Sequence, residues 1–478
     1  MSLAAPEESS VEDVFVCNKS ESVLSVIEKC LDNGLGSCLV VGDDHRFIGR
    51  ISLDDIRRAL ADGTAIIDPT LGWHPAGNMI AAATPLRNDV DEQEILRPVV
   101  DSTGHLTGVL IDRSTRPIQV AMPHMTSDDF RSVLDAFISG WISSKGPYVN
   151  KFEEDFSRFV GVRHGVAVSN GTVALHLALV ALGIGPGDEV IVPDLTFAAT
   201  INAVLYCGAT PVIVDVDRQT WCMSRDAVKR ACTAQTKAII PVHLYGRPAE
   251  IGPITDFARG RGIAVVEDCA EAHGARYRGK AVGQFGDVSC FSFYANKIVT
   301  TGEGGMCVTD SPELANSLRV LRDHGMSPDR SYWHERVGFN YRITNLQAAI
   351  GQSQIWRVNE VLQRNARIAA LYREALKGIA EVRFPPELPD EYRPVVWMTC
   401  VQVPAEKRLT LMRAAHAAQI ETRPFFHPLS ALPPYGKYAR CCPNSIELSA
   451  TGVNLPTSHS VDEQVVERVA RVFHDVFA

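Results

Sequence analysis

The sequence predicts an α/β protein whose main body is a mostly parallel sheet covered by helices on both faces, preceded by a smaller α+β domain. Three observations carry this. Beyond residue 118, helices apolar on most sides alternate with short, continuous apolar strands, the pattern of strands buried on both faces. The N-terminal stretch has another texture, in which a helix and a strand, turn and strand partly recur. Between the two lies DRSTRPIQVAMPHM, with Pro117 and Pro123 and no periodicity, which reads as a junction.

At 478 residues, 46% hydrophobic and 22% charged, the chain far exceeds one small core, and roughly two to four compact units are expected. The formal charge of -9 and a pI near 5.9 leave no long basic face for a phosphate backbone, so nucleic acid is not expected as a partner. No apolar run is long enough to cross a bilayer. The start, MSLAAPEESSVED, is acidic where a signal peptide would be basic and then apolar, so a cytosolic protein with no membrane partner is expected. The 12 cysteines are scattered and Cys441 and Cys442 are adjacent, without CxxC spacing; they read as buried thiols, and no metal site is expected.

In SVLSVIEKCLDNG, Val23, Val26, Ile27, Cys30 and Leu31 recur at helical spacing and the run stops at Gly34. GSCLVVGDDHRFIGRIS then reads as strand, polar turn and strand, and LDDIRRALADG as a second helix. RPVVDSTGHLTGVLID repeats the apolar run, polar turn and glycine. This pair resembles the CBS module, which implies a regulatory domain over residues 10–115 that takes an adenosine nucleotide. Gly49, Ser52 and Asp55 fit that family's pattern, and a hydroxyl and a carboxylate one turn apart at a helix start can grip a ribose and a phosphate. In the second copy Ile111 and Ser114 stand at those positions, so at most one nucleotide site per chain is expected. The same pair of residues also suits a plain helix cap in a packing or dimerisation domain, and both readings stand.

In the main body, SNGTVALHLALVALG and TFAATINAVLYCGA read as helices, and EVIVP, PVIVDVD, TKAIIPVHLYG and IAVVEDC as strands. Ligands of such sheets bind beyond the carboxyl ends of the strands. There Lys297 follows the apolar run GDVSCFSFY and precedes a glycine-rich turn, where partial desolvation would favour the nucleophilic free amine. Asp268 ends IAVVED in an apolar setting where an unpaired carboxylate is costly, and a pyridinium nitrogen would be a fitting partner. Gly171 and Thr172 open a helix after VAVSN, so backbone N–H groups and a hydroxyl converge where a phosphate could sit; a simple cap explains them as well. Ser292 could add a phosphate hydroxyl and Phe197 a stacking face, although neither is specific alone.

Across residues 118–478 the segments GWISSKGPYVNKFEEDF, SNGTVALHLAL, GDEVIVPDLTFAAT, VVEDCAEAHGA, FSFYANKIVTTGEGGM and GFNYRITNLQAAIG occur in order. In them the chain resembles the DegT-type sugar-nucleotide aminotransferases, a branch of the fold-type I pyridoxal-phosphate enzymes. The resemblance implies a large cofactor-binding domain over 118–357 and a smaller C-terminal α/β domain over 358–478. It implies that Lys297 carries pyridoxal 5'-phosphate as a Schiff base, Asp268 meets the pyridine nitrogen, Phe197 stacks on the ring, and Gly171, Thr172 and Ser292 hold the phosphate. Asn340, in GFNYR, matches an asparagine that reaches the phosphate from a neighbouring subunit, which implies a homodimer with shared active sites.

Glu271 in VVEDCAEAHG stands where other members carry Gln or His near the cofactor ring. With RDHGMSPDRSYWHERVGFNYR and ETRPFF, it resembles the branch that aminates carbon 4 of GDP-4-keto-6-deoxymannose to give GDP-perosamine, with L-glutamate as donor. His324, Arg423 and His427 are the candidate substrate residues; His427 departs from the tyrosine expected in that segment. Relatives that dehydrate the sugar replace the lysine with histidine, so Lys297 implies transamination. A UDP- or dTDP-linked keto sugar is the alternative substrate, and a nucleotide-sensing regulatory protein with a vestigial aminotransferase domain is the alternative class.

Overall fold

The computed structural model describes residues 8–9, 15–18, 21–61, 96–111 and 117–478. The chain divides into two compact units, Met1–Pro117 with His124–Arg131, and Ile118–Pro123 with Ser132–Ala478.

In the first unit, Ser22 caps the helix Val23–Asp32 by accepting the Ser25 N–H at 3.1 Å, and the helix buries Val23, Val26, Ile27 and Cys30 on one face. Val16–Asn18, Ser37–Val41 and Phe47–Ser52 form a three-stranded sheet, the first pair parallel and the second antiparallel. Leu96–Val100 and Leu106–Ile111 form a second hairpin. The repeat read from the sequence has a structural counterpart in these hairpins. Each carries one register shift just before its polar turn, at Val40/Val41 and at Val99/Val100, and each places its glycine, Gly49 or Gly108, opposite the residue before that shift. The shortened first helix expected for the second copy falls in 62–95, and Ser114 falls in 112–116, both outside the described residues.

The second unit is built on a seven-stranded sheet in the order His164–Val168, Gly305–Thr309, Val288–Ser292, Ala264–Asp268, Thr236–Ile239, Glu189–Pro193, Thr210–Val214. Every pairing is parallel except the two made by Gly305–Thr309. Alternate side chains feed different layers: Val190 and Val192 pack with the helix Gly171–Ala181, while Ile191 packs with Ile251 and Ile254 on the other face. A smaller sheet of Thr399–Gln402, Gly452–Leu455 and Arg423–Pro424 has its own core with Tyr372, Leu411, Val465 and Phe473, within the same compact unit.

Glu267, fully buried, anchors the turn that leads into Val288–Ser292. Its Oε1 accepts from Phe285 N, Gly286 N and Ser289 Oγ at 2.8, 2.8 and 2.9 Å, and its Oε2 from Gly283 N and His243 Nε2, both at 3.0 Å. His243 Nδ1 in turn accepts Ala249 N–H at 3.0 Å. Cys269 lies close enough for His243, Glu267 and Cys269 to look like metal ligands, but these hydrogen bonds already occupy Glu267 and His243. Burial alone would push the Glu267 carboxyl up; the bonds from His243, Gly283 and Gly286 outweigh it and hold it below the usual range.

A depressed carboxyl stabilises the fold above its unfolded-state pKa and loses that contribution as pH falls through the lower folded-state value. Glu267→Gln, which sets an N–H₂ against these donors, is expected to cost about 3 kcal/mol near neutral pH and to lessen the loss of stability in acid. Denaturant melts across pH check both.

Candidate active site

The carboxyl ends of the parallel strands surround a cavity of about 650 Å³. After His164–Val168 the chain turns into the helix Gly171–Ala181, with Asn170 as its cap accepting Val173 N–H at 3.0 Å. The Gly171 and Thr172 N–H groups, at the first turn, have no partner within the helix, and both residues line the cavity. Ser292, at the end of its own strand, approaches so closely that a Cβ on Gly171 would lie 2.8 Å from Ser292 Cβ. Only glycine allows this approach, which brings the helix start and the Ser292 hydroxyl to one spot.

Asp268 ends Ala264–Asp268. Its Oδ2 accepts from Thr200 Oγ1 at 2.9 Å, its Oδ1 from Ala270 N at 3.2 Å, and it makes no ion pair among the described residues. Burial pushes its carboxyl up, against the bonds from Ala270 and Thr200 and the charge of Lys297. A wholly buried carboxylate lining a cavity without a cation in contact suits a cationic ring nitrogen from a ligand.

Lys297 sits past Val288–Ser292 with its Nζ 3.6 Å from Glu271 Oε1, the two side chains 10% and 6% exposed. Burial pulls the amine's pKa down, with Glu271 and Asp268 opposing, and pushes the Glu271 carboxyl up. Each group is thus driven toward its neutral form, and a neutral buried amine is a nucleophile. Glu271 Oε2 is fixed by the N–H of Tyr245 at 2.8 Å.

Of the residues singled out from sequence, Gly171, Thr172, Phe197, Asp268, Glu271, Ser292, Lys297 and Arg423 line this one cavity. Phe197 is 59% exposed at the mouth, its ring 5.7 Å from that of Phe426. Arg423 is the cavity's cation besides Lys297 among the described residues, and its Nε donates to Glu421 at 3.0 Å.

His324, His427 and Asn340 do not line it. His427 is exposed, whereas Phe426 beside it lines the cavity. Asn340 and His324 are exposed and meet at Arg342, which donates from Nε to Asn340 Oδ1 at 3.0 Å, lies 3.4 Å from His324 Nε2 and pairs with Asp323 at 2.8 Å.

Sequence reasoning missed Trp397, whose ring lies under the Lys297 amine, and Tyr245 and Thr200, which fix the two carboxylates. Thr200, three residues after Phe197 in TFAAT, could have been found as a helix-start hydroxyl on the same turn. Trp397 and Tyr245 carry no local signal.

The fold and this site define a pyridoxal-phosphate-dependent aminotransferase of fold-type I. Residues 123–474 match the model of the DegT/DnrJ/EryC1/StrS aminotransferase family, and the chain belongs to that family. The GDP-perosamine synthases of Caulobacter vibrioides and Escherichia coli O157:H7 are 44% and 43% identical to it, over 75% and 73% of this chain and 98% and 96% of theirs. The aminotransferase TlmJ of Streptoalloteichus hindustanus superposes with a TM-score of 0.72 at 32% identity, covering 75% of this chain and 98% of that one. Residues 9–62 match the CBS domain model, so the chain couples a CBS domain to a sugar aminotransferase acting on nucleotide sugars. No helix among the described residues is long and apolar enough to cross a membrane.

Proposed function

We propose that the chain transfers an amino group from L-glutamate to carbon 4 of GDP-4-keto-6-deoxymannose, giving GDP-perosamine. The observation that carries this reading is 44% identity along nearly the whole of a GDP-perosamine synthase, with Glu271 beside the reactive lysine.

Bound pyridoxal phosphate supplies a carbonyl that receives the amino group and a ring that takes up the electron pair released at carbon. Lys297 anchors it; when free, Lys297 Nζ takes the proton from the donor's α carbon and later delivers one to carbon 4 of the sugar. Asp268 holds the proton on the ring nitrogen, and Thr200 holds Asp268. The Gly171 and Thr172 N–H groups and the Thr172 and Ser292 hydroxyls bind the phosphate, and Phe197 covers the ring.

Arg423 takes an anionic group of a substrate. The lining opposes Lys297 and Arg423 with Asp268, Glu271 and Glu303, so the phosphates of cofactor and nucleotide sugar need further cations and donors. This supports a homodimer in which Asn340, with Arg342 and His324 beside it, faces the neighbour's cavity.

Mass spectrometry of products from a panel of GDP-, UDP- and dTDP-linked keto sugars tests the reading. Amination of the GDP sugar with release of 2-oxoglutarate is expected. Turnover confined to a UDP- or dTDP-linked sugar would overturn the substrate assignment.

In the CBS domain, Ser52 Oγ and Ser52 N donate to Asp55 Oδ2 at 2.6 and 2.9 Å, Asp55 N donates to Ser52 Oγ at 3.2 Å, and Arg58 donates to Asp55 Oδ1 at 2.6 Å. These bonds form a capping box at the start of Leu53–Ala61 and favour the cap over an adenosine-nucleotide site. Ser52→Ala is expected to cost about 1 kcal/mol in a thermal melt and to leave amination unchanged with or without adenosine nucleotides. A nucleotide response lost in this variant would restore the regulatory site.

A further inference from the structure

Lys297 does not lie loose in the cavity. Its Nζ stands 3.8 Å from the centre of the Trp397 ring and 3.6 Å from Glu271 Oε1. The indole is itself fixed: it is 4% exposed, and its Nε1 donates to the carbonyl of Asn296, the residue before Lys297, at 2.6 Å. The ring stacks on Tyr245 with centroids 6.2 Å apart and planes at 19°, and the Tyr245 N–H donates to Glu271. The aromatic face and the carboxylate that meet the amine are therefore tied to each other, and the face is tied to the lysine's own backbone.

We propose that Trp397 is a positioning residue that receives the amine of Lys297 when that amine is not covalently engaged, holding it most strongly once it carries a proton, and keeps it inside the cavity. The proposal rests on Lys297 being the lysine that bears the cofactor. A lysine released from its bond has a long flexible stem and strong hydration drawing it toward solvent. An aromatic face attracts a cation most when both are desolvated, as here. It cannot take the proton or form a strong charge-assisted bond, so it holds the ammonium without locking it. Asn296 sets the geometry: through its carbonyl the ring follows the backbone of Lys297, although Trp397 comes from the distant segment leading into Thr399–Gln402.

The test reads Lys297 directly in the cofactor-free protein, as the pH dependence of its labelling by an amine-acylating reagent, followed by peptide mass spectrometry. Removing the ring's attraction disfavours the charged amine, so Trp397→Leu should lower the labelling midpoint by about one pH unit, while Trp397→Phe, which keeps an aromatic face, should restore most of it. Tetrafluorotryptophan inserted at position 397 keeps the shape and weakens the ring's negative face, and should lower the midpoint in the same direction. It carries the test if Trp397→Leu does not fold. An unchanged midpoint in the fluorinated protein overturns the proposal. Wild-type holoenzyme treated with borohydride separates the two claims: a stable link at Lys297 with an unchanged midpoint sinks only the role of Trp397, and absence of the link sinks both.

Discussion

Lys297→Ala is expected to lower turnover by about 10⁴-fold or more while leaving the fold intact. Removing the amine removes both the anchor and, among the described residues, the group placed to move a proton between two carbon centres: Glu271, its nearest ionisable neighbour, is held by the Tyr245 N–H and 3.6 Å from the amine. Glu271, which burial already drives toward its neutral form, then stands without its ion-pair partner, so the variant should melt somewhat below wild type yet stay folded at assay temperature. Steady-state assays with a saturating keto sugar and a thermal melt of the same preparation check the two halves together. Loss of activity accompanied by loss of fold would leave the chemical role unsupported, and wild-type turnover would refute it.

Asp268→Asn is expected to lower turnover by about 10³-fold, because an amide cannot keep a proton on the ring nitrogen and the ring becomes a poorer electron sink. The same change should stabilise the cofactor-free protein. Burial pushes the Asp268 carboxyl up. A group whose folded-state pKa is raised contributes stability below its unfolded-state value and loses it as pH rises through the folded one, so near neutral pH the cofactor-free protein bears the cost of burying Asp268. The asparagine avoids that cost, and the Thr200 hydroxyl can accept from its amide while donating to Thr196, 3.0 Å away. A rise in melting temperature on the order of 2 °C, seen without cofactor and shrinking in acid, is expected. A variant less stable than wild type at every pH would show that Asp268 serves packing instead.

The residues that were legible in the sequence share one property: their meaning depends on position along a single segment. Lys297, Asp268 and Gly171 each follow an apolar strand, and strand ends are where a parallel sheet opens. The alternation that predicted the sheet could not tell that Gly305–Thr309 runs against its neighbours, because periodicity carries no direction. Trp397 is a hundred residues from the amine it covers, and only the packing of the small sheet on the large one brings them together. His427 shows the opposite limit: its segment borders the cavity, yet Phe426 beside it takes the lining place and the histidine is exposed. The Ser52 and Asp55 pattern was readable as spacing, but which hydrogen bonds satisfy it became visible only in three dimensions.

The central claim is that this chain folds its carboxyl-end loops into a cofactor site centred on Lys297. Incubation with pyridoxal phosphate, reduction with borohydride and peptide mapping tests it most directly. One pyridoxyl group per chain on the peptide containing Lys297 is the predicted result. No adduct, or an adduct spread over other lysines while Lys297 stays unmodified, would contradict it.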